Sequence, residues 1–432
     1  MARAKAHRAR EAVRALRHRN YRVYYFGMLA SFTGTWMQTT AQSWLVYRMT
    51  GSAWLLGLVG FASQAPVFLL APLGGVIADR RSRLRIIILT QTLAMSQAFI
   101  LAGLTMSNRV TVGSLIVLAL ALGVVNSFDL PARQSFMVEM VGKEDLMNAI
   151  ALNSSMIQGS RVAGPALAGL LVGWLGEGPC FLVNGLSYIA VITTLLTIRV
   201  SREGREQAQG SALANLREGF NYVRRTRPVR ALLLLVAFVS IFGLPYAVLM
   251  PIFASEVLSG GPLALGGLLG ATGVGALAGA LTLAMRKSVH GLGRVVALSA
   301  GVFGVLLVLF SLSRNLAVSA VLLFPVGFAL LLQMSASNTL LQTMVPDKMR
   351  GRLMSFYAMS LMGMAPFGSL LAGAVAARIG APRTVLFGGA LCLAAALVFW
   401  LRLPSLSREA VPILIAQGAM AGEPSEIDAG NP

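Results

Sequence analysis

The sequence GGVIADRRSRLR, residues 74–85, places four Arg between two long apolar runs. Residues 54–78 and 86–107 contain no Asp, Glu, Lys or Arg. Each run is long enough to cross a bilayer, because a spanning helix needs about 20 mostly apolar residues. The charged stretch is therefore predicted to be a short turn between two membrane helices, and its Arg cluster predicts a cytoplasmic position.

The composition of the whole chain agrees with a membrane location. Of the 432 residues, 56 % are hydrophobic and 12 % are charged, whereas soluble domains carry about 25 % charged residues. Apolar runs of spanning length recur along the chain. They predict twelve membrane helices, near residues 24–46, 54–78, 86–106, 112–128, 149–174, 180–198, 231–253, 263–285, 293–312, 317–340, 354–377 and 384–401.

The net charge of +20 is a property that nucleic-acid-binding proteins share, but its distribution indicates another cause. When loops are assigned alternately from a cytoplasmic N-terminus, most of the 36 Lys and Arg face the cytoplasm. The outer side receives only Arg48, Arg109, Arg314, Arg378 and Arg383. This asymmetry follows the positive-inside rule. It predicts a multi-pass protein of the plasma membrane (the inner membrane in a Gram-negative bacterium) with both termini in the cytoplasm, a lipid bilayer as partner and no nucleic acid.

Two halves of the chain repeat weakly in parallel. Residues 17–22 (RHRNYR) correspond to 225–230 (RTRPVR), and Gln134 corresponds to Gln342 at the same offset. Two like-oriented halves are typical of transporters that bind substrate between them near the bilayer midplane. The predicted order is a basic cytoplasmic arm, a six-helix bundle, a cytoplasmic linker with an amphipathic helix, a second six-helix bundle and a disordered cytoplasmic tail, at residues 1–22, 23–198, 199–230, 231–402 and 403–432.

Arg161 lies in the middle of the fifth predicted span. A lone Arg at the centre of a bilayer costs about 2.5–3.5 kcal/mol on insertion scales, so it needs a partner. Asp129, near the inner end of the fourth span, is the candidate for an embedded charge pair. Two interpretations stay open: a structural ion pair, and a gating or substrate contact.

The first span is polar for a helix that faces lipid. Phe32, Trp36, Thr39 and Ser43 recur at helical spacing, so they share one face. Such a face suits either the wall of a cavity or contacts between helices. Side chains of similar character in other spans complete a candidate cavity, which consists of Trp36, Gln42, Asn126, Gln158, Phe242, Tyr246 and Gln333.

The acidic residues offer two candidates for a proton site, and both lie near helix ends. A carboxyl group that exchanges protons needs a pKa shifted by burial or by a nearby charge. Asp129 is the first candidate because of Arg161, and Glu256 is the second.

The charged turn also carries a family resemblance. Five of its residues resemble the signature loop between spans two and three of the major facilitator superfamily: Gly75, Asp79, Arg80, Arg83 and Arg85. Ser82 stands where that loop usually has Gly, and an Arg cluster that only sets topology is the alternative interpretation. The resemblance implies an all-α polytopic membrane protein with 12 transmembrane helices in two pseudo-symmetric six-helix bundles. Asp79 is then expected to act in gating of the cytoplasmic side.

Two longer segments narrow the resemblance. Residues 129–136 (DLPARQSF) and 338–355 (NTLLQTMVPDKMRGRLMS) resemble paired motifs of the enterobactin-exporter-like branch. The second segment contains a loop of the second half formed by Asp347, Arg350, Gly351 and Arg352. The resemblance implies export of a siderophore, drug or other amphiphile by alternating access, driven by the proton gradient through antiport. An importer, a lipid or lysolipid transporter and an uncoupled facilitator are the alternatives within this fold.

The sequence shows no pattern of an enzyme or a primary pump. Its three His and two Cys form no catalytic or metal-binding spacing, which a membrane enzyme would need. It also contains no Gly-x-x-x-x-Gly-Lys-Ser/Thr phosphate loop, which ATP-driven transport would require. A channel or receptor more often lacks a repeat of two halves. The prediction is a monomeric transporter of small molecules that is not an enzyme and has no cofactor.

Overall fold

The structure, a computed structural model, describes residues 14–142, 144–198, 212–286 and 288–417. Within these residues the regular elements are all helical. After a 3₁₀ turn at Arg14–Arg17, the helices are α1 (Arg19–Thr50), α2 (Ala53–Arg80), α3 (Arg83–Met106), α4 (Val112–Val141), α5 (Leu146–Leu175), α6 (Gly178–Thr197), α7 (Ala212–Arg225), α8 (Arg227–Phe238), α9 (Gly261–Ala284), α10 (Leu292–Leu312), α11 (Leu316–Thr343), α12 (Asp347–Ala358), α13 (Ala365–Ile379) and α14 (Ala381–Ala416).

Ten helical segments of the described chain are long and apolar enough to cross a membrane. They are α2, α3, α4, α6, Arg227–Val257, α9, α10, α11, Met349–Ile379 and α14. The prediction of a multi-pass membrane protein is therefore confirmed. Helices α1 and α5 have 32 and 30 residues, which is also a spanning length, but they carry more polar side chains.

The membrane segment Arg227–Val257 is irregular where it contains proline. Arg227–Val257 contains a π-turn at Val239–Gly243 and a 3₁₀ turn at Leu244–Ala247, which includes Pro245. A second π-turn, Phe253–Val257, ends the segment and carries Glu256. Proline has no backbone N–H, so it cannot continue the helical hydrogen-bond ladder.

The described helices form two compact units. Unit 1 contains Met1–Ala208 and Met250–Gly273, and unit 2 contains Gln209–Leu249 and Val274–Pro432. Residues 250–273, which lie in the second half of the sequence, thus have their contacts with the first six helices. In unit 1, α1 packs against α5 and α6, α2 against α4, and α3 against α4 and α6.

The charged turn is shorter than the sequence suggests. Helix α2 continues through Arg80 and α3 begins at Arg83, so only Arg81 and Ser82 lie between them. Ser82 has φ −63° and ψ 116°, a conformation open to any residue, so the turn does not require the Gly of the family pattern. Arg83 donates to Glu139 Oε1 at 2.8 Å and to the Ser135 carbonyl at 3.3 Å, which holds the turn against α4.

The predicted disorder from residue 403 onward is wrong for the described part of the tail. Helix α14 continues to Ala416, because Leu403 and Leu414 extend its buried face. Glu409 accepts from Arg227 Nη1 at 3.2 Å, which ties this extension to the start of α8. Residues 418–432 lie outside the described residues, as do 1–13 of the predicted arm and 199–211 of the predicted linker.

Small and amide side chains set the position of α1 in unit 1. Gln38 donates to Gln97 Oε1 at 2.9 Å and accepts from Asn184 Nδ2 at 2.8 Å, so buried amides join α1 to α3 and α6. On the other side, a Cβ at Gly164 of α5 would lie only 2.4 Å from Trp36 Cβ. A glycine is therefore required for the two helices to approach this closely.

Candidate functional site

Asp129 is the centre of a buried polar cluster in unit 1. It lies on α4 and is 1 % exposed. Its Oδ1 accepts from Thr90 Oγ1 at 2.7 Å and from Gln91 Nε2 at 3.2 Å, both on α3. Its Oδ2 forms an ion pair with Arg133, one turn further along α4. The carboxylate thus has neutral donors on one oxygen and a cation on the other.

Arg133 extends this cluster to α1. Its guanidinium carbon lies 4.8 Å from the centre of the Phe32 ring, within the distance of a cation–π contact. The Arg133 side chain is only 14 % exposed. We call Asp129, Arg133, Thr90, Gln91 and Phe32 the paired cluster, since its carboxylate and guanidinium balance each other.

The predicted pairing of Asp129 with Arg161 is wrong. The carboxylate binds Arg133, because an i,i+4 partner on the same helix is already adjacent, whereas Arg161 projects from α5. The guanidinium carbon of Arg161 lies 5.2 Å from the centre of the Trp36 ring, and its Nη1 lies 3.5 Å from Gln158 Oε1. The alternative interpretation of Arg161, as a gating or substrate contact, stays a prediction.

Trp36, Gln158 and Arg161 therefore lie together on α1 and α5, and we call them the tryptophan cluster. Trp36 and Arg161 are half-buried, and Gln158 is buried. The neighbouring Ser160 hydroxyl lies 3.2 Å from Thr33 Oγ1. This contact and the close approach at Gly164 hold α5 in register with α1.

The other predicted cavity residues are divided between the two units. Gln42 is buried in α1 and Asn126 is half-buried in α4. Three belong to unit 2: Phe242, Tyr246 and Gln333. Phe242 stacks near Phe238 with a centroid separation of 4.6 Å, and Tyr246 is buried edge-on to Phe303 at 6.3 Å.

Gln333 has an unusual environment for a membrane helix. It is 1 % exposed, and its Nε2 lies 3.4 Å from Ser337 Oγ one turn along α11. Among the described residues its Oε1 has no hydrogen-bond partner. A buried amide oxygen without a partner costs about 1–3 kcal/mol. The Gln333 Oε1 atom is therefore suited to accept a hydrogen bond from a bound molecule.

Glu256 lies beside the C-terminal end of α1, where it contacts Tyr47. Its Oε1 accepts a hydrogen bond from the Tyr47 hydroxyl, within unit 1. Beside it, Arg48 donates to both carboxylate oxygens of Glu177, at 2.7 and 3.1 Å. This end of α1 thus carries a carboxylate held by a neutral donor, next to a separate ion pair.

One residue in each of the two predicted loops forms a described ion pair. Arg83 binds Glu139, Arg80 and Arg85 are exposed, and a Cβ at Gly75 would meet no atom within 4 Å. In unit 2, Arg352 pairs with Glu218 of α7, while Arg350 and Gly351 are exposed. The side chains of Asp79 and Asp347 lie outside the described part of the structure, so their roles stay predictions.

Several partners in these clusters were not predicted from the sequence. Arg133 was readable from its i,i+4 spacing to Asp129, a spacing that favours ion pairs on a helix. Glu139, Glu218 and Tyr47 pair with residues 56, 134 and 209 positions away. No local pattern in one sequence indicates such distant partners.

The start of α5 carries a surface ion-pair group outside the membrane segments. Asp145 accepts from His18 Nε2 at 2.7 Å and pairs with Arg14. The hydrogen bond from His18, together with Arg14, lowers the pKa of Asp145 below its ordinary value. The Ala15 N–H also donates to Asn148 Oδ1 at 2.9 Å, so the residues before α1 are held against α5.

The ten segments of the described chain that are long and apolar enough to cross a membrane define a multi-pass membrane protein. The fold agrees with this class: the crystal structure of nucleoside transporter NupG matches with a TM-score of 0.70 at 15 % identity, over 89 % of this chain and 99 % of that chain. The transmembrane secretion effector family, part of the major facilitator superfamily, matches residues 11–419. The chain belongs to this family, as the resemblance of its motifs predicted.

Curated relatives cover most of the chain at low identity. The staphyloferrin A transporter of Staphylococcus aureus is 25 % identical over 85 % of this chain and 92 % of its own length. The multidrug efflux pump Tap of Mycolicibacterium fortuitum is 25 % identical over 84 % of this chain and 90 % of its own. These relatives are transporters, in agreement with the predicted class.

Proposed function

We propose that this protein is a secondary active transporter that exports a small molecule by alternating access, in exchange for protons. In this proposal α1 and α5 also cross the membrane, which gives twelve spans in two six-helix bundles. The protein is a monomer in the plasma membrane with both termini in the cytoplasm. The cargo is a siderophore, a drug or another amphiphile, which is the kind of compound that the names of its relatives indicate.

One observation carries the proposal beyond family membership: α1 has two guanidinium groups over its aromatic rings, 4.8 and 5.2 Å from their centres. Ionisable side chains inside membrane helices are costly, and they usually mark pathways for substrates or ions. The polar face of α1 supports its role as one wall of that pathway. Asp79 and the Arg residues of its turn are proposed to act in gating at the cytoplasmic side.

The proton site is proposed at one of two carboxylates. Asp129 is buried with Arg133, so its protonation would release a cation inside the protein and change the contacts of α4 with α1. Glu256 is held by the neutral Tyr47 hydroxyl, so its protonation needs no compensating change in a neighbouring cation. Both fit a coupling step, and the variants below distinguish them.

Transport by everted membrane vesicles tests direction and coupling together. Vesicles from cells with and without the protein are energised so that protons accumulate inside, and rhodamine 6G uptake is followed. Accumulation that depends on the protein and stops when nigericin collapses the proton gradient is expected. Accumulation only in right-side-out vesicles would support the importer instead, and uptake without any effect of nigericin would support an uncoupled facilitator.

A further inference from the structure

Helices α9 and α11 of unit 2 are in close contact along part of their length and then separate. A Cβ at Gly279 of α9 would lie only 2.6 Å from the Phe328 carbonyl oxygen of α11, so a small residue is required for this approach. One turn further along each helix the residues are Leu283 and Leu332. Their side chains line a cavity of about 320 Å³.

The cavity is mostly apolar and has one basic residue in its lining. The lining residues come from the end of α9, the start of α10 and α11: Thr282, Leu283, Met285, Arg286, Val295 and Leu332. Arg286 is exposed, and its two described hydrogen bonds are to the backbone carbonyls of Ser288 and His290. These neutral groups orient the guanidinium beside the apolar side chains. We call this cavity the α9–α11 groove.

The helices that form the groove carry basic residues and no acidic ones. Residues 257–346, which include all of α9, α10 and α11, contain no Asp or Glu. The connection from α9 to α10 places Arg286, Lys287 and Arg294 within nine residues of sequence. These helices therefore do not neutralise their own positive charge, which favours an anionic partner.

The position of the groove in the membrane indicates the kind of anion. Helices α9 and α10 are both long and apolar enough to cross a membrane, so the connection at residues 285–291 lies at a membrane surface. Arg286 is therefore at the level of the lipid headgroups, and Leu283, three residues earlier, lies on the hydrocarbon side. Basic pockets between membrane helices at this level bind the headgroups of anionic lipids. The apolar lining next to Arg286 matches the acyl chain of the same molecule.

We propose that the α9–α11 groove binds an anionic phospholipid of the surrounding bilayer, with the phosphate at Arg286 and part of an acyl chain between Leu283 and Leu332. Arg294, which is exposed in the first turn of α10, adds to the attraction for the headgroup. With the proposed cytoplasmic termini, the lipid comes from the cytoplasmic leaflet, which carries anionic lipids. The site goes beyond the proposed export, because its ligand is a component of the membrane and not the cargo.

Titration of the purified full-length protein with two lipids of the same chain length tests the groove. Native mass spectrometry of the protein in detergent gives dissociation constants for dioleoyl-phosphatidylglycerol and dioleoyl-phosphatidylcholine, which share their chains and differ in net charge. Phosphatidylglycerol should bind about fivefold or more tighter, as expected for one Arg at a membrane surface. Glycerol 3-phosphate, an anionic headgroup without chains, should not displace it at equal concentration. Equal or weaker binding of phosphatidylglycerol, or its displacement by glycerol 3-phosphate, would overturn the proposal.

Variants then assign the preference for phosphatidylglycerol to the groove. Arg286→Gln should remove most of it, and Arg286→Lys should retain it because the charge remains. Leu332→Phe places a larger side chain in the cavity and should weaken binding of both lipids to a similar extent. Arg230→Gln, at an exposed Arg of unit 2 that also donates to a backbone carbonyl, is the matched control and should bind like the wild type. A preference that survives in a monodisperse Arg286→Gln protein, or that falls equally in Arg230→Gln, would overturn the assignment to the groove.

Transport of rhodamine 6G by vesicles keeps this inference separate from the proposed function. Protein-dependent transport of rhodamine 6G with no preference for phosphatidylglycerol would leave the proposed export and remove the lipid site. A preference for phosphatidylglycerol that Arg286→Gln removes, with no energised transport of rhodamine 6G, would leave the lipid site and remove the proposed export.

Discussion

The paired cluster and the tryptophan cluster use the same guanidinium–ring contact on the same helix, but their Arg side chains differ in burial and in the polar groups described beside them. In the paired cluster, Arg133 is 14 % exposed and its charge is met by the Asp129 carboxylate one turn away. In the tryptophan cluster, Arg161 is half-buried and rests against a ring and an amide. The difference teaches that an aromatic contact on α1 does not by itself fix how deeply an Arg is buried or which polar group it binds.

The largest effect is expected when the paired cluster loses its carboxylate. Asp129→Asn leaves Arg133 buried without its counter-charge, and breaking a buried pair in this way costs about 3–5 kcal/mol. Thermal unfolding of the purified protein should show a strongly lowered midpoint. The double variant Asp129→Asn/Arg133→Gln should recover much of the loss, since no isolated charge remains.

Arg161→Gln provides the comparison for this experiment. It should change the unfolding midpoint much less than Asp129→Asn does, because Arg161 is half-buried, whereas Asp129 is 1 % exposed and its loss breaks a buried ion pair. Equal losses in the two variants would contradict the difference between the clusters.

The next effect concerns the contact that holds Trp36 below Arg161. A Cβ at Gly164 would lie 2.4 Å from Trp36 Cβ and 2.9 Å from the Met37 nitrogen. Gly164→Ala should therefore force α1 and α5 apart and destabilise the protein by about 1–3 kcal/mol, the usual cost of overpacking. The unfolding midpoint and the transport of rhodamine 6G by vesicles are measured together.

Gly159→Ala on the same helix is the matched control, since a Cβ there would meet nothing within 4 Å. It should leave both measurements close to those of the wild type. A Gly164→Ala protein with an unchanged unfolding midpoint and unchanged transport of rhodamine 6G would show that the close approach of α1 and α5 is not needed to form the tryptophan cluster.

A smaller effect on stability is expected at the Thr50 end of α1. Tyr47→Phe removes the hydroxyl that donates to Glu256 and should cost about 0.5–1.5 kcal/mol, the net value of a hydrogen bond. If Glu256 exchanges the proton, Glu256→Gln should still move rhodamine 6G across the vesicle membrane, but this movement should no longer depend on the proton gradient. Retention of that dependence would favour Asp129 of the paired cluster instead.

The smallest effect is expected at the surface pair of Asp145 with His18 and Arg14, which contrasts with both membrane clusters. The lowered pKa of Asp145 means that its ionised form is favoured in the folded state. Its stabilising contribution is therefore present above the pKa of the unfolded chain, about 3.9, and is lost as pH falls through the lower folded value.

This contribution is measured by comparing unfolding midpoints of the wild type and Asp145→Asn across pH. The wild type should be slightly more stable at pH 6, and the difference should shrink below about pH 4, where the carboxyl is protonated in the unfolded chain. A difference that stays constant down to pH 3 would contradict the assigned role of the carboxylate.

Local patterns predicted much of the architecture. The apolar runs predicted the multi-pass class, and the residues of the turn at 74–85 predicted the superfamily, which the family match at residues 11–419 confirms. Local patterns were less successful in predicting the residue at which a helix ends. The extension of α14 to Ala416 depends on burial of Leu403 and Leu414 in unit 2, and a loss of apolar periodicity in the sequence conceals it.

The candidate site was predicted in part. Trp36, Gln158 and Arg161 were each named from span position and polarity, and the structure brings the three together. The partner of Asp129 was predicted wrongly, because the cost of an isolated Arg161 favoured a pair between two helices. The i,i+4 spacing of Arg133 was the better guide, since it depends only on helix geometry.

The sequence by itself determined that this chain is a membrane protein and which superfamily it belongs to. Both depend on hydropathy and turn chemistry, which are properties of neighbouring residues and their solvent. Tertiary structure alone settled the contacts of charges with residues on other helices, such as Glu256 with Tyr47 and Arg161 with Trp36. Hydrogen bonds and ion pairs act over only a few ångströms. Such distances exist only after helices that are far apart in the chain have packed side by side.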